Sequence, residues 1–308
     1  MSRIHDALKK AEQDRAAGPH PPFEMNPPQP TVNPGAVETE LEKREMLNLP
    51  RTMLQGPGLP SIESWVAGCA VTEWNPDPQS VLFSNPAVRM LGTEEFRTLR
   101  THLTQMREKL PLQTILITSP LPTEGKTFVS ANLAQAFVQQ QGRKVLLIDG
   151  DLRLSRLHAL LGTSRAPGLS DFLQGKAEIA EILQRGAPGD LFFIPGGKPV
   201  SNPMELASNG RLKGLLHRLA PLFDWIVIDS PPCVPVSDAS VLADYCDGVL
   251  MVVRAGKTPF DMAQKGSHQF QDKRLLGVVL NQVPPHAAYS AYYYYSEEEG
   301  VVGKLKKE

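Results

Sequence analysis

Apolar residues are sparse and aperiodic at the start of this chain and strongly ordered from about residue 93 onward. Phe96, Leu99, Leu103, Met106 and Leu110 recur at three- and four-residue steps. That spacing predicts an amphipathic helix over Thr93 to Leu110, with Glu94 and Glu95 at its positive N-terminus. Short, continuously apolar runs follow. Thr114–Thr118, Lys144–Ile148, Leu191–Ile194, Trp225–Ile228, Val249–Val253 and Val278–Leu280 read as strands. Between them Lys126–Gln141 reads as a helix closed by Gly142, and Met204–Leu219 as a helix interrupted around Asn209-Gly210. Strands without a polar face are buried on both sides, so the pattern predicts an α/β fold: a doubly wound, mostly parallel sheet with helices on both faces. Ligands of such sheets bind at the carboxyl ends of the strands.

The first part of the chain follows other rules. Ser2 caps a short predicted helix over Arg3 to Arg15, with Ile4, Leu8 and Ala11 on one face. It reads either as a solvated helix or as a docking helix for a partner or membrane surface. From Ala16 to Ser80, Pro21, Pro22, Pro27, Pro28, Pro30, Pro34, Pro50, Pro57 and Pro60 exclude long helices and central strands. This predicts a flexible linker, with room for a short helix over Glu38 to Leu47. The other end is different again. Tyr289 and Tyr292, Tyr293, Tyr294 and Tyr295 are five of the six tyrosines, and Glu297, Glu298 and Glu299 follow them. With no periodic core face, that segment is expected to be disordered when alone. The chain thus divides into a helix and linker (1–80), an α/β domain (81–286) and a tyrosine-rich tail (287–308).

Composition narrows the classes. Hydrophobic residues make up 41% of the 308, enough for a substantial core, and a net charge of −1 gives no global reason to expect nucleic acid as a partner. Cys69, Cys233 and Cys246 are too scattered for a disulfide scaffold or a zinc site, which points to a reducing compartment. No apolar run approaches the ~20 residues of a membrane span, and the polar N-terminus is no secretory signal. The expected location is cytoplasmic.

Chemistry concentrates at three predicted strand ends. The run Ile115-Leu-Ile-Thr-Ser-Pro-Leu-Pro-Thr-Glu-Gly-Lys-Thr-Phe128 is strand, loop and helix start in succession. Its backbone N–H groups and helix dipole suit a phosphate chain, Lys126 suits the β/γ-phosphates and Thr127 suits Mg²⁺. Thr123, Glu124, Gly125, Lys126, Thr127 and Phe128 are therefore the expected nucleotide contacts. Thr123 stands where such loops usually carry glycine: either the backbone there keeps a negative φ, as expected for a β-branched residue, or nucleotide binding is impaired. Asp149 and Asp151, two apart after the second strand, suit one metal ligand and one proton acceptor, and Arg153 could offset phosphate charge. Asp229, after four apolar strand residues, suits Mg²⁺. Asn281 ends the last strand, where its amide could read an adenine edge or form a turn. Cys233 is expected to pack. Glu94, Arg97 and Arg100, each three apart, form either a solvated flank or a subunit contact.

Residues 83–285 resemble the bacterial tyrosine kinases (BY-kinases) of capsule and exopolysaccharide systems, within the MinD/ParA-like P-loop class. The resemblance rests on Ser119-Pro-Leu-Pro-Thr-Glu-Gly-Lys-Thr127, Asp149-Gly-Asp-Leu-Arg153, Asp229-Ser-Pro-Pro232, Glu94-x-x-Arg97-x-x-Arg100 and the tyrosine tail. It implies ATP and Mg²⁺ at Lys126 and Thr127, with Asp151 and Asp229 organising the metal and Asp149 as the base. It further implies a ring-like homo-oligomer through Glu94, Arg97 and Arg100, in which a neighbour's tail enters the active site. The tail tyrosines would be the phosphoacceptors. A separate transmembrane polysaccharide co-polymerase would act as activator and hold the kinase at the inner membrane. Ser155 departs from the proline common in the family. Two other readings compete: a MinD/ParA-like switch ATPase, whose early loop lysine is Leu121 here, and a non-catalytic ATP-binding adaptor.

Overall fold

A computed structural model describes residues 61–83, 92–186 and 190–284. The N-terminal helix, the linker up to residue 60 and the tyrosine tail lie outside the described residues.

Helix α1 (Ile62–Gly68) and the two-residue strand β1 (Val71–Thr72) come first, followed by α2 (Thr93–Lys109), β2 (Thr114–Thr118), α3 (Lys126–Val138) and β3 (Val145–Asp149). Short helices α4 (Leu157–Leu161), α5 (Leu169–Leu173) and α6 (Ile179–Ile182) lead to β4 (Gln184–Gly186) and β5 (Leu191–Ile194). After them come α7 (Pro203–Ser208), α8 (Arg211–Leu219), β6 (Trp225–Asp229), α9 (Asp238–Ala243), β7 (Gly248–Arg254), α10 (Phe260–His268) and β8 (Leu275–Asn281). The strands form one sheet in the order β1-β4-β5-β3-β6-β2-β7-β8. Neighbours run parallel except β4, which is antiparallel to β5. The predicted doubly wound architecture is the one observed.

The pleat sorts each apolar strand onto two faces. Leu116, Leu146, Ile148, Phe192, Ile226 and Ile228 join one core with Leu212, Leu215 and Leu219 of α8. Ile115, Ile117, Val145, Leu147, Phe193 and Val227 join the opposite core with Phe96 and Leu103 of α2 and Leu133 and Phe137 of α3. The Phe137 ring stacks on Trp225 with centroids 4.2 Å apart. Strands β2, β3 and β6 are buried at every position, as their lack of a polar face demands.

One departure from expectation has a clear cause. Residues 61–72 fall inside the expected linker yet form α1 and β1. No proline interrupts 61–75. The hydroxyl oxygen of Ser61 caps α1 by accepting the Ser64 N–H, Val66 is buried, and β1 pairs with β4 through Val71 and Arg185. The expected interruption of residues 204–219 is observed: α7 and α8 are separated at Asn209 and Gly210, and Gly210 takes φ +78° and caps the second helix.

Candidate active site

The site is assembled at the carboxyl ends of three adjacent strands. β6 lies between β2 and β3, and its parallel register with β3 sets Asp149 opposite Asp229. The loop after β2 delivers Lys126 and Thr127 to the first turn of α3, where Val129 N–H bonds back to Gly125 C=O at 2.9 Å. All four groups converge. The Lys126 ammonium lies 3.1 Å from Asp151 Oδ2. The Thr127 hydroxyl donates to Asp229 Oδ2 at 2.8 Å, and the Ser130 hydroxyl donates to Asp229 Oδ1 at 2.9 Å. Ser130 was not singled out in the sequence. Its position one helical turn after Lys126 was the available signal; the Lys126 carbonyl, also 2.9 Å from the hydroxyl, is the alternative acceptor for its single hydrogen.

The loop backbone resolves the question of Thr123. It adopts φ +63°, not the expected negative value. The left-handed conformation that loops of this shape require overrides the β-branched side chain's preference. Strain of this kind costs about 1–2 kcal/mol. Thr123→Gly is therefore expected to stabilise the protein by up to about 1 kcal/mol, the gain reduced by glycine's larger unfolded-state entropy. Chemical denaturation measures it, and a loss of stability would contradict the strain argument.

Glu124 braces the loop. Its carboxylate accepts the Leu121 N–H at 2.9 Å and the Thr258 hydroxyl, while Thr258 in turn accepts the Arg254 N–H at 3.0 Å. At 3% exposure the side chain is committed to the protein, so its expected nucleotide contact can come only from its backbone. Asn281 stands beside it. Its Nδ2 donates to Glu124 C=O at 2.9 Å and its Oδ1 accepts the Gln282 N–H, which favours the turn role over the adenine role. A Cβ on Gly125 would sit 2.0 Å from Asn281 Nδ2, and Gly125 has φ +94°, so only glycine fits there. The Phe128 ring tilts against Phe96 at 5.8 Å and packs α3 on α2, away from a ligand role. Arg153 is likewise redirected: its guanidinium grips Asp238 in two bonds of 2.7 and 3.0 Å. Asp238 is 85 residues away in sequence, out of reach of any local pattern.

Electrostatics suit a site awaiting cationic charge. Burial, followed by the charge of Asp229, pushes Asp149 up to about 7, against the bonds from Ser155 and Leu157. Burial also lifts Asp229 to about 6, countered by Lys126 and Thr127. For Lys126 burial is the largest influence and acts downward, but the charges of Asp229 and Asp151 outweigh it and leave the ammonium above its ordinary value. The raised carboxyls set the sign of the pH response. Their protonated forms favour the fold, so that stability is fully present below the unfolded value near 4 and is lost as pH rises through 6 to 7. The melting temperature of the nucleotide-free protein should therefore fall between about pH 5 and 8. Adding Mg·ADP should flatten the slope; a flat nucleotide-free profile would contradict it.

Among the described residues no group of three His, Cys, Asp or Glu side chains is arranged to hold a metal alone. The oxygen donors present, the Thr127 hydroxyl and the Asp229 and Asp151 carboxylates, fit Mg²⁺, which usually takes one or two carboxylates plus phosphate and water. Cys233 packs as expected. It is 1% exposed, and burial pushes its thiol up to about 11.

On α2, Glu94 and Arg97 pair with each other on the surface. Arg100 donates from Nη1 to Ala136 C=O at 2.9 Å, tying α2 to α3, while its buried Nε has no hydrogen-bond partner among the described residues.

A strand, a lysine-bearing phosphate loop, a helix N-terminus and acidic groups on the two adjoining strand ends define a P-loop nucleotide-binding protein. Residues 115–305 match the CobQ/CobB/MinD/ParA nucleotide-binding domain model. Tyrosine-protein kinase YwqD of Bacillus subtilis is 33% identical over 66% of this chain and 87% of its own length. Tyrosine-protein kinase wzc of Salmonella typhimurium is 36% identical over 68% of this chain, which spans only 29% of that larger protein. The kinase domain of Escherichia coli tyrosine kinase ETK superposes with a TM-score of 0.63 at 31% identity, covering 73% of this chain and 88% of that one. The chain belongs to the bacterial tyrosine-protein kinase family, within the CobQ/CobB/MinD/ParA nucleotide-binding class.

Proposed function

We propose that this kinase binds Mg·ATP at the loop 123–128 and transfers the γ-phosphoryl group to the tyrosines of its own C-terminal segment. The observation that carries the reading is the convergence of Lys126, Asp149, Asp151 and Asp229 around one phosphate loop at three parallel strand ends. Asp149 accepts the phenolic proton, and the phenolate oxygen then bonds to the γ-phosphorus. As that bond forms, the bond to the β–γ bridging oxygen breaks and ADP leaves. A tyrosine with a pKa near 10 needs such help, and a buried carboxylate lifted to about 7 is suited to give it. Lys126 holds the β/γ-phosphates, while Thr127, Asp151 and Asp229 would hold Mg²⁺, which would supply positive charge against the charge that develops during transfer.

Tyr289 and Tyr292 to Tyr295 are the proposed acceptors, five phenols in a short stretch just past the domain. Glu94, Arg97 and Arg100 are the proposed ring contact, supported by the surface position of the first two and the unmatched Nε of the third. No helix among the described residues is long and apolar enough to cross a membrane. The proposed partner is a separate transmembrane polysaccharide co-polymerase, which would activate the kinase and hold it at the inner membrane. The role is regulation of polysaccharide synthesis or export.

The test is to incubate the purified chain with Mg·ATP and weigh its tail peptides, beside Lys126→Ala and a variant with all five tail tyrosines changed to Phe. Phosphate on the tail supports the reading. Phosphate release without tail modification would instead indicate a switch ATPase, and neither product an adaptor.

A further inference from the structure

We propose that Ser155 is a positioning residue that clamps one oxygen of Asp149 and leaves the other to take the substrate proton, an inference that rests on the reading of Asp149 as the base. Asp149 is fully buried at the end of β3, and its two oxygens are treated differently. Oδ2 accepts the Ser155 hydroxyl at 2.7 Å and the Leu157 N–H at 3.1 Å. Among the described residues Oδ1 accepts only the Asp151 N–H, at a longer 3.3 Å. Two good donors occupy Oδ2 and fix the plane of the carboxyl group, so the oxygen with open lone-pair capacity is Oδ1.

The clamp is built into the packing. Ser155 is itself buried, at 7% exposure. Gly196 closes over the pair: a Cβ there would lie 2.7 Å from both Cβ and Oγ of Ser155 and 3.5 Å from Asp149 Cγ. The backbone of the segment after β5 thereby keeps water from competing for Oδ2. His158 Nδ1 approaches the same hydroxyl at 3.4 Å. The serine has one hydrogen, and the carboxylate takes it, so the histidine faces the hydroxyl's lone pairs. A misaligned acceptor costs rate even when the group itself is intact, because proton transfer requires hydrogen-bond reach in the reacting complex.

A structural role would be different in kind, since it would weaken the fold whatever occupied position 149. A double-mutant cycle separates the two. Full-length wild type, Ser155→Ala, Asp149→Asn and the double variant are assayed for transfer to a peptide copied from residues 287–299, with kcat and the KM for ATP measured separately. Ser155→Ala should lower kcat roughly tenfold and leave the KM for ATP within about twofold. In the Asp149→Asn background the same change should cost less than about twofold. Ser155→Thr, which keeps the hydroxyl, should restore most of the rate. Equal factors in both backgrounds, or an unchanged kcat in Ser155→Ala, would overturn the clamp while leaving the base reading intact. An Asp149→Asn enzyme with wild-type kcat would overturn the base reading and the clamp with it.

Discussion

Lys126→Ala lowers ATP-dependent tyrosine phosphorylation by at least about 10³-fold, the range seen when a cation facing the transferring phosphoryl group is removed. The Lys126 side chain is 14% exposed and its ammonium lies 3.1 Å from Asp151 Oδ2, with Asp229 and Asp149 also contributing to its environment. Without it three carboxylates face the phosphate chain with only the metal to separate them. Binding weakens because like charges meet, and transfer slows because charge developing on the equatorial oxygens has lost its fixed partner. The fold should survive: burial already shifts Asp149 and Asp229 toward protonation, and losing the Lys126 charge lets Asp229 shift further and absorb the change. Circular dichroism confirms folding, and quantitative mass spectrometry of the tail reads the loss. Retention of more than about a tenth of the wild-type rate would place the phosphate-binding cation elsewhere.

Asp229→Asn has the second largest effect, and it moves activity and stability in opposite directions. The carboxylate accepts one bond at each oxygen, from Thr127 and from Ser130. An amide preserves the shape but removes the charge that Mg²⁺ requires. The Mg²⁺ concentration for half-maximal activity should rise at least about tenfold, with kcat falling on the order of 10²-fold. The nucleotide-free protein, meanwhile, should melt a few degrees higher at pH 8. One of the charges repelling Asp149 is gone, and Asp229's own buried charge is no longer present to oppose the fold. An unchanged Mg²⁺ requirement would show that Asp229 does not hold the metal, and a lower melting temperature would show that its bonds outweigh its burial.

How far the chain could be understood before its fold was seen depends on the range of the interactions involved. Strands β2, β3 and β6 announce themselves because burial on both faces leaves each an uninterrupted apolar run. The phosphate loop and the aspartates were legible for a related reason: their spacing from those strand ends is local. Helices α4, α5 and α6, of five, five and four residues, are too short to display a period. Strand β4 is Gln-Arg-Gly and carries no apolar signal at all; its place is set by antiparallel pairing with β5. Within the site, Arg153 and Glu124 were placed with the nucleotide by type and position. Their true partners, Asp238 and Thr258, lie 85 and 134 residues away. Thr123 went the other way, since residue preference favoured one backbone conformation and the closed loop enforced the other.

The Glu124 brace also bears on kinetics. Because the carboxylate ties Leu121 to Thr258, and the amide of Asn281 holds the Glu124 carbonyl, the loop's shape is set by the protein's own contacts. Its conformational entropy is lost during folding and not during ligand capture. A preshaped cradle of this kind needs no rearrangement to receive a triphosphate, so encounter should be limited by diffusion and charge steering. Differences in affinity among nucleotides should then appear mainly in how long each stays.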